Sequence, residues 1–234
     1  MKEREKITAI IPTFNEELNI EYAIKSVDFA DEIIVIDSYS TDKTVVIANR
    51  HNIRLIERKF DDFSSQKNYA IDQAKNNWIY ILDADERVSN DLRKEILEAV
   101  KKPTNFVGFY IYRTFYFLSQ KINYGGWQRD KVIHLFKKDK CKYNGNLVHE
   151  TITYNGEIGF LNHKIEHYSY RNYDHYLKKL NHYASLQAKE LFIKKKSVNI
   201  FHIVLKPLYR FFVHYVIRLG FLDGFPGYVL AAQH

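Results

Sequence analysis

Asp83-Ala84-Asp85 follows the apolar run Trp78–Leu82, and two carboxylates one residue apart form a ligand pair for a hard divalent cation. Mg2+ or Mn2+ usually takes one or two carboxylates together with waters and substrate phosphates, so the motif points to a diphosphate-bearing substrate. Both carboxylates reach one ion only if the chain leaves the strand at that point, because strand geometry otherwise spreads them. Two other polar clusters also follow apolar runs. Pro12-Thr13-Phe14-Asn15-Glu16 comes after Ile7–Ile11, and Asp37-Ser38-Tyr39-Ser40-Thr41-Asp42 comes after Glu32–Ile36. Asp37 stands where an acidic residue accepts hydrogen bonds from a base or ribose in other nucleotide-binding sheets. An Asp pair at a strand end is, by itself, as readily a helix cap or a solvated pair. The three clusters gain weight only together. No Gly-rich phosphate loop of the Walker or dinucleotide-binding type is present, which disfavours a P-loop NTPase or an NAD enzyme.

These clusters require elements that end side by side. Strands are expected at Ile7–Ile11, Glu32–Ile36, Arg54–Glu57 and Trp78–Leu82, with helical spacing over Glu17–Val27, Asp42–Asn49 and Phe63–Ala74. A fourth helix is expected from about Asp91 to Val100, with Ser89 or Asn90 as its N-cap and Lys101-Lys102-Pro103 as its stop. Alternation of this kind predicts an α/β fold in which helices flank a mostly parallel sheet, with ligands at the carboxyl ends of the strands. From Phe106 to Tyr170 the pattern becomes aromatic and strand-like, with turns at Gly125-Gly126 and Gly145, and from Tyr173 it becomes helical. The expected division is a catalytic domain over residues 1–170, itself split at residue 100, and a helical, basic segment over 171–234.

Charge follows the same division. Residues 1–100 carry 14 Lys and Arg against 20 Asp and Glu, whereas residues 101–234 carry 21 against 8, for a net charge of +7. The basic half calls for an anionic partner. The lone Cys141 excludes an internal disulfide, and the charged start Met1–Lys6 runs into a strand with no apolar leader segment, so a cytoplasmic location is expected.

The three clusters, in this order and spacing over roughly the first ninety residues, resemble the donor-site motifs of family 2 glycosyltransferases, which have the GT-A (Rossmann-like) fold. Gln66-Lys67-Asn68-Tyr69-Ala70 resembles the family's helix segment near the uracil and diphosphate. Asp83-Ala84-Asp85-Glu86-Arg87-Val88 and Val148-His149-Glu150 look most like the bacterial branch that adds β-glucose to the inner core of lipopolysaccharide. The resemblance implies a UDP-sugar donor, with Pro12, Thr13, Asn15 and Glu16 lining the uridine pocket and Asp37 on the base or ribose. It places Lys67 near the diphosphate, and Asp83 and Asp85 on ribose, diphosphate and a Mg2+ or Mn2+ ion. For Pro12, Asn15 and Asp42 the plain alternatives are a strand end, a helix cap and a charge at a helix N-terminus.

Inverting members of the family use a carboxylate to deprotonate the acceptor hydroxyl. Glu150 resembles that base, and Asp130 in Gly125-Gly126-Trp127-Gln128-Arg129-Asp130 is its rival. The Gly-Gly-Trp run reads as a mobile flap whose Trp127 stacks on a sugar face, or as a buried structural Trp. His149 is placed to assist a metal or phosphate, or to serve as a structural histidine, and His163 and His167 read as structural. From Leu191 to Leu222 no acidic residue occurs, and His202, Lys206, Arg210, His214 and Arg218 recur every fourth residue. On a helix these would form one polar ridge beside an apolar face, the shape of an interfacial helix at an anionic inner-membrane surface. The expected acceptor is then lipid-linked or a lipopolysaccharide core. Transfer to polyprenyl phosphate or a capsule glycan is the alternative within the fold. A nucleic-acid-binding protein, the alternative outside it, leaves three acidic strand ends without a purpose, so no nucleic-acid partner is expected.

Overall fold

The computed structural model describes residues 4–101, 104–145, 151–170, 172–193, 195 and 197–233. The chain forms two compact units, Met1–Arg113 with Lys131–His167, and Thr114–Asp130 with Tyr168–His234.

In the first unit β1 (Ile7–Thr13), α1 (Ile20–Ser26), β2 (Glu32–Asp37), α2 (Thr44–Ala48), β3 (Arg54–Glu57), α3 (Phe63–Gln73) and β4 (Trp78–Ile81) alternate as expected. The order β3-β2-β1-β4 is parallel throughout, with Ile10 opposite both Ile34 and Ile81, and Ile36 opposite Ile56. Parallel strands covered on both faces must be apolar on both. Ile7, Ala9 and Ile11 accordingly pack into one core, and Ile10, Ile34, Ile36, Ile79 and Ile81 into the other. β5 (Glu86–Arg87) follows the acidic turn, and then comes α4 (Asn90–Lys101). Leu92, Ile96 and Val100 of α4 recur every fourth residue and are buried in the first core. Ser89 caps this helix, its Oγ accepting the Leu92 N–H at 3.3 Å.

After residue 101 come β6 (Phe106–Phe117), β7 (Gln120–Lys121), β8 (Lys131–Lys137), β9 (Cys141–Tyr143), β10 (Ile152–Tyr154), β11 (Glu157–Phe160) and β12 (Ile165–Tyr170). β8 runs antiparallel to β4 and to β6, so the sheet becomes mixed beyond the four parallel strands. β12 lies antiparallel to β5, with His167 opposite Glu86.

In the second unit, β7 pairs with the end of β6 through a tight turn in which Leu118 and Ser119 both have positive φ. α5 (Tyr173–Ile193) follows, then consecutive helical turns from Ile200 to Ile217, and a last helix at Gly224–Ala232. Phe115, Phe117, Ile122, Tyr176, Val229 and Leu230 form the core of this unit.

Candidate functional site

The loops after β1 and β2 are laced together. Asp37 is fully buried, and its carboxylate accepts the Ser40 N–H at 2.7 Å and the Ser40 hydroxyl at 2.5 Å. The Ser40 Oγ in turn accepts the Asn15 N–H at 2.8 Å, and Asn15 Oδ1 accepts the Thr41 N–H at 2.8 Å. Asn15 and Tyr39 both adopt left-handed backbone, with φ of 54° and 61°, a conformation that these bonds hold in place. Asp42 Oδ1 accepts the Thr44 N–H, while its Oδ2 accepts the Glu17 N–H at 3.1 Å. Hydrogen bonds from the Thr44 hydroxyl and backbone outweigh partial burial and lower its pKa. Asp37 and Asn15 therefore organise the paired loops from within, and Asp42 joins the start of α2 to the first loop. Pro12 lies half-buried in the strand opposite Ile36, and Glu16 Oε2 accepts the Asn19 side-chain amide at 2.8 Å. Thr13 is buried at the strand end, and its hydroxyl has no hydrogen-bond partner among the described residues.

The acidic turn meets the geometric condition for two carboxylates to serve one ion, because β4 ends at Ile81 and the chain turns through Ala84 and Asp85 before β5. Arg87 holds this turn by donating to the carbonyls of Ala84 and Glu86 at 2.7 and 2.5 Å. Asp83 is half-buried. Lys67 of α3 lies 3.5 Å from its Oδ1 and Arg113 of β6 lies 3.3 Å from its Oδ2. Burial would raise its pKa, but the two cations more than reverse this and bring it down to about 2. Lys67 is itself buried, on a helix that also buries Ser64 and Gln66. Asn68, next to it, exchanges two hydrogen bonds with the backbone of Tyr143 and so fixes the end of β9.

Asp85 sits 3.5 Å from Nε2 of His167. Burial disfavours the charged imidazole, yet the Asp85 carboxylate outweighs it and raises the His167 pKa. His167, read from the sequence as structural, is thus brought to the acidic turn. His163 does have a structural role, its Nδ1 lying 2.8 Å from Glu95. Among the described residues no three His, Cys, Asp or Glu side chains form a ready-made metal cage. Asp85 and His167 nevertheless offer an oxygen and a nitrogen ligand beside Asp83, which suits a cation whose coordination is completed by phosphates and water.

Glu150 and His149 lie outside the described residues; the β9–β10 pair is closed at their flank by Asn144 and Thr151, whose Oδ1···N and N···O contacts are 3.4 and 3.0 Å. Within the second unit, Trp127 begins a short 3-10 turn and stacks on Phe115, with centroids 4.8 Å apart and planes 14° apart. The Gly125-Gly126 turn is held by several hydrogen bonds, which favours the structural reading of this run over the flap. Asp223, 4% exposed, accepts the Asn123 and Tyr124 N–H groups at 3.1 and 2.8 Å. The Gly125 N–H donates to the Arg218 carbonyl at 2.9 Å, and its carbonyl lies 2.6 Å from Nδ1 of His214. The continuous basic ridge is also corrected, since His214 and Arg218 face this turn while Lys206 and Arg210 are exposed. His214 and Arg218 are drawn out of the ridge because the Gly125-Gly126 turn packs on that side, with the Gly125 carbonyl at His214 and Gly126 against the Arg218 side chain. Asp130 closes this turn, its N–H donating to the Trp127 carbonyl at 3.2 Å.

Local patterning missed Glu86, Arg113, His134, His167 and Asp223. Arg113, His134, His167 and Asp223 act on residues far away in the sequence, so no spacing marks them, whereas Glu86 lies in the acidic motif itself and only its bonds to the Asp83 N–H and to Arg113 show what it does.

Residues 8–180 match the profile of the family described as Glycosyl transferase family 2. An uncharacterized glycosyltransferase of Rickettsia bellii (strain RML369-C) is 32% identical over 241 residues, covering 96% of this chain and 80% of the relative. The lipopolysaccharide core biosynthesis glycosyltransferase LpsC of Rhizobium meliloti (strain 1021) is 25% identical over 225 residues, covering 93% of this chain and 82% of LpsC. A crystal structure of glucosyl-3-phosphoglycerate synthase from Mycobacterium tuberculosis, with Mn2+, UDP-glucose and glycerol 3-phosphate, superposes with a TM-score of 0.41 at 19% identity. That match covers 47% of this chain and 44% of the synthase, and so loose a likeness transfers none of its ligands.

Proposed function

The chain belongs to glycosyl transferase family 2, and from that premise we propose that it moves glucose from UDP-glucose to a saccharide of the lipopolysaccharide core, inverting the anomeric carbon. The observation that carries this reading is the acidic turn at the end of β4, where Lys67 and Arg113 flank Asp83 and His167 meets Asp85. Paired cations beside an ionised carboxylate suit a diphosphate, because they neutralise the carboxylate before the substrate arrives and face phosphate oxygens afterwards. Pro12, Thr13, Asn15 and Glu16 form the wall for the uridine. Asp37 acts through Ser40 to shape that wall.

In the transfer, the acceptor hydroxyl oxygen attacks the anomeric carbon while the bond from that carbon to the diphosphate oxygen breaks, and a carboxylate takes the hydroxyl proton. Glu150 is the proposed base and Asp130 the second candidate, with Trp127 and His149 on the acceptor. Asp85, His167 and Asp83 are the residues that would hold Mg2+ or Mn2+, which supplies positive charge to the departing diphosphate. Arg113 and Lys67 add fixed charge there.

The C-terminal segment supports a membrane-bound acceptor. No helix among the described residues is long and apolar enough to cross a membrane. Ile200, Phe201, Ile203, Leu205, Leu208 and Phe225 are nevertheless exposed, beside the exposed Lys206 and Arg210. That combination suits shallow insertion at the inner face of the cytoplasmic membrane, each basic residue adding about 1 kcal/mol near anionic lipid.

The test is a panel of UDP-, GDP- and dTDP-sugars with Mn2+, followed by transfer to core-truncated lipopolysaccharide, polyprenyl phosphate and capsule oligosaccharide. UDP-glucose and the truncated core are the expected pair. Failure to bind any sugar nucleotide would remove the donor reading, and transfer to another acceptor would replace the core.

A further inference from the structure

Glu86 is the residue of the acidic turn that the proposed mechanism leaves unused, and it is fully buried. One carboxylate oxygen accepts the Asp83 N–H at 3.0 Å, and the other accepts Nε–H of Arg113 at 2.7 Å. Arg113 continues to Asp83 Oδ2 through Nη2 at 3.3 Å. One buried acid therefore holds both the backbone of Asp83 and the guanidinium that meets its side chain. The surroundings are unfavourable for stability alone. His134 presents Nε2 to Glu86 at 3.6 Å, while its Nδ1 is engaged with the Ile81 carbonyl at 2.7 Å. Neither His134 Nε2 nor the buried Tyr80 hydroxyl has a hydrogen-bond partner among the described residues. A half-satisfied polar cluster in an apolar core costs stability that aliphatic residues of similar volume would not, so its presence beside Asp83 calls for a role.

We propose that Arg113 is a phosphate-binding residue of the donor site and that Glu86 is the positioning residue that aims its guanidinium. The inference rests on the uridine-diphosphate reading of this site. Glu86 takes the Nε edge of the planar fork, which leaves the Nη edge directed at Asp83, where the diphosphate is placed in that reading. The guanidinium then exchanges a carboxylate oxygen for a phosphate oxygen with little reorientation, and that is what preorganisation requires. Lys67, on the other oxygen of Asp83, reaches the same point as a flexible single charge. A lysine in place of Arg113 cannot both satisfy Glu86 through a fixed edge and reach Asp83 with another.

The experiment is calorimetric titration of uridine, UMP and UDP into the full chain, with and without Mg2+, for wild type, Arg113→Lys, Arg113→Ala, Glu86→Gln and the double variant Glu86→Gln/Arg113→Ala. Uridine affinity should be the same in all five proteins. UDP affinity should fall about tenfold or more in both Arg113 variants, and by a smaller factor in Glu86→Gln, as expected for a lost charged hydrogen bond. The double variant should bind UDP no worse than Arg113→Ala, because Glu86 acts through Arg113. Equal loss of uridine and UDP affinity would mean general collapse of the site and would overturn the proposal, as would unchanged UDP affinity in the Arg113 variants. An additive loss in the double variant would overturn the positioning role of Glu86. If wild type binds none of the three ligands, the donor reading fails along with this inference; if it binds UDP more tightly than uridine and the variants do not differ, only this inference fails.

Discussion

At the scale of single residues, the proposed site divides into side chains placed to meet the substrate and side chains that hold those in place. Asp37 illustrates the difference, since the sequence placed it on the base or ribose and its carboxylate is occupied by Ser40. Asp37→Asn, which keeps only one of the two acceptor oxygens that hold the Ser40 N–H and hydroxyl, should weaken nucleotide binding about tenfold by loosening the loop, with little effect on core stability. Isothermal titration with UDP and thermal unfolding would separate the two effects. For the base, Glu150→Gln should abolish transfer while UDP-glucose affinity is kept, and retained turnover would move the role to Asp130. Asp42 supplies a pH test. Its folded pKa is depressed, so its contribution to stability is complete above the ordinary aspartate value near 3.9 and is lost as pH falls through the lower folded value. Unfolding midpoints of wild type should therefore drop more steeply below pH ~4 than those of Asp42→Asn; parallel curves would exclude the effect.

At the scale of elements, the helices do different work, and what each buries shows which. α4 is a packing helix. Ile96→Ala, at a fully buried position, should cost about 2–5 kcal/mol in denaturant unfolding without changing uridine affinity. α3 instead buries Lys67 and Gln66 and presents a polar face to the acidic turn and the β2 loop. The Gly125-Gly126 turn shows how an apparent loop becomes rigid. Glycine at both positions permits φ of 73° and 97°, and at Gly126 a β-carbon would stand 2.5 Å from the Arg218 guanidinium. Asp223→Asn replaces one acceptor oxygen with a donor, so amide exchange at Asn123 and Tyr124 should accelerate about tenfold or more. Unchanged protection there would mean that the Asp223 clamp is dispensable.

At the scale of the whole molecule, the charge asymmetry matches a division of labour. The acidic first hundred residues supply the strand-end carboxylates, and the basic remainder includes the exposed apolar segment with Lys206 and Arg210. Deleting the C-terminus is a poor test of membrane binding, because Val229 and Leu230 belong to the core of the second unit. Phe201→Ser combined with Leu205→Ser removes exposed apolar area alone. It should lower binding to anionic vesicles about tenfold or more while leaving the unfolding midpoint unchanged, since each buried side chain of this size contributes about 1.5–3 kcal/mol. Co-sedimentation measures the first and calorimetry the second.

The strand and helix alternation, the polar strand ends, the Ser89 cap and the family resemblance were all legible in the sequence, because each depends on periodicities of two or 3.6 residues or on contiguous motifs. The tertiary structure alone decided which residues complete the site. Arg113 reaches Glu86 across 27 residues, His167 arrives at Asp85 on a strand paired with β5, and Asp223 clamps a turn 100 residues earlier. Such contacts follow from sheet order and strand register, which are set by how whole faces are buried. No local spacing encodes them, because the partner of a buried charge is chosen by the packing that desolvates it.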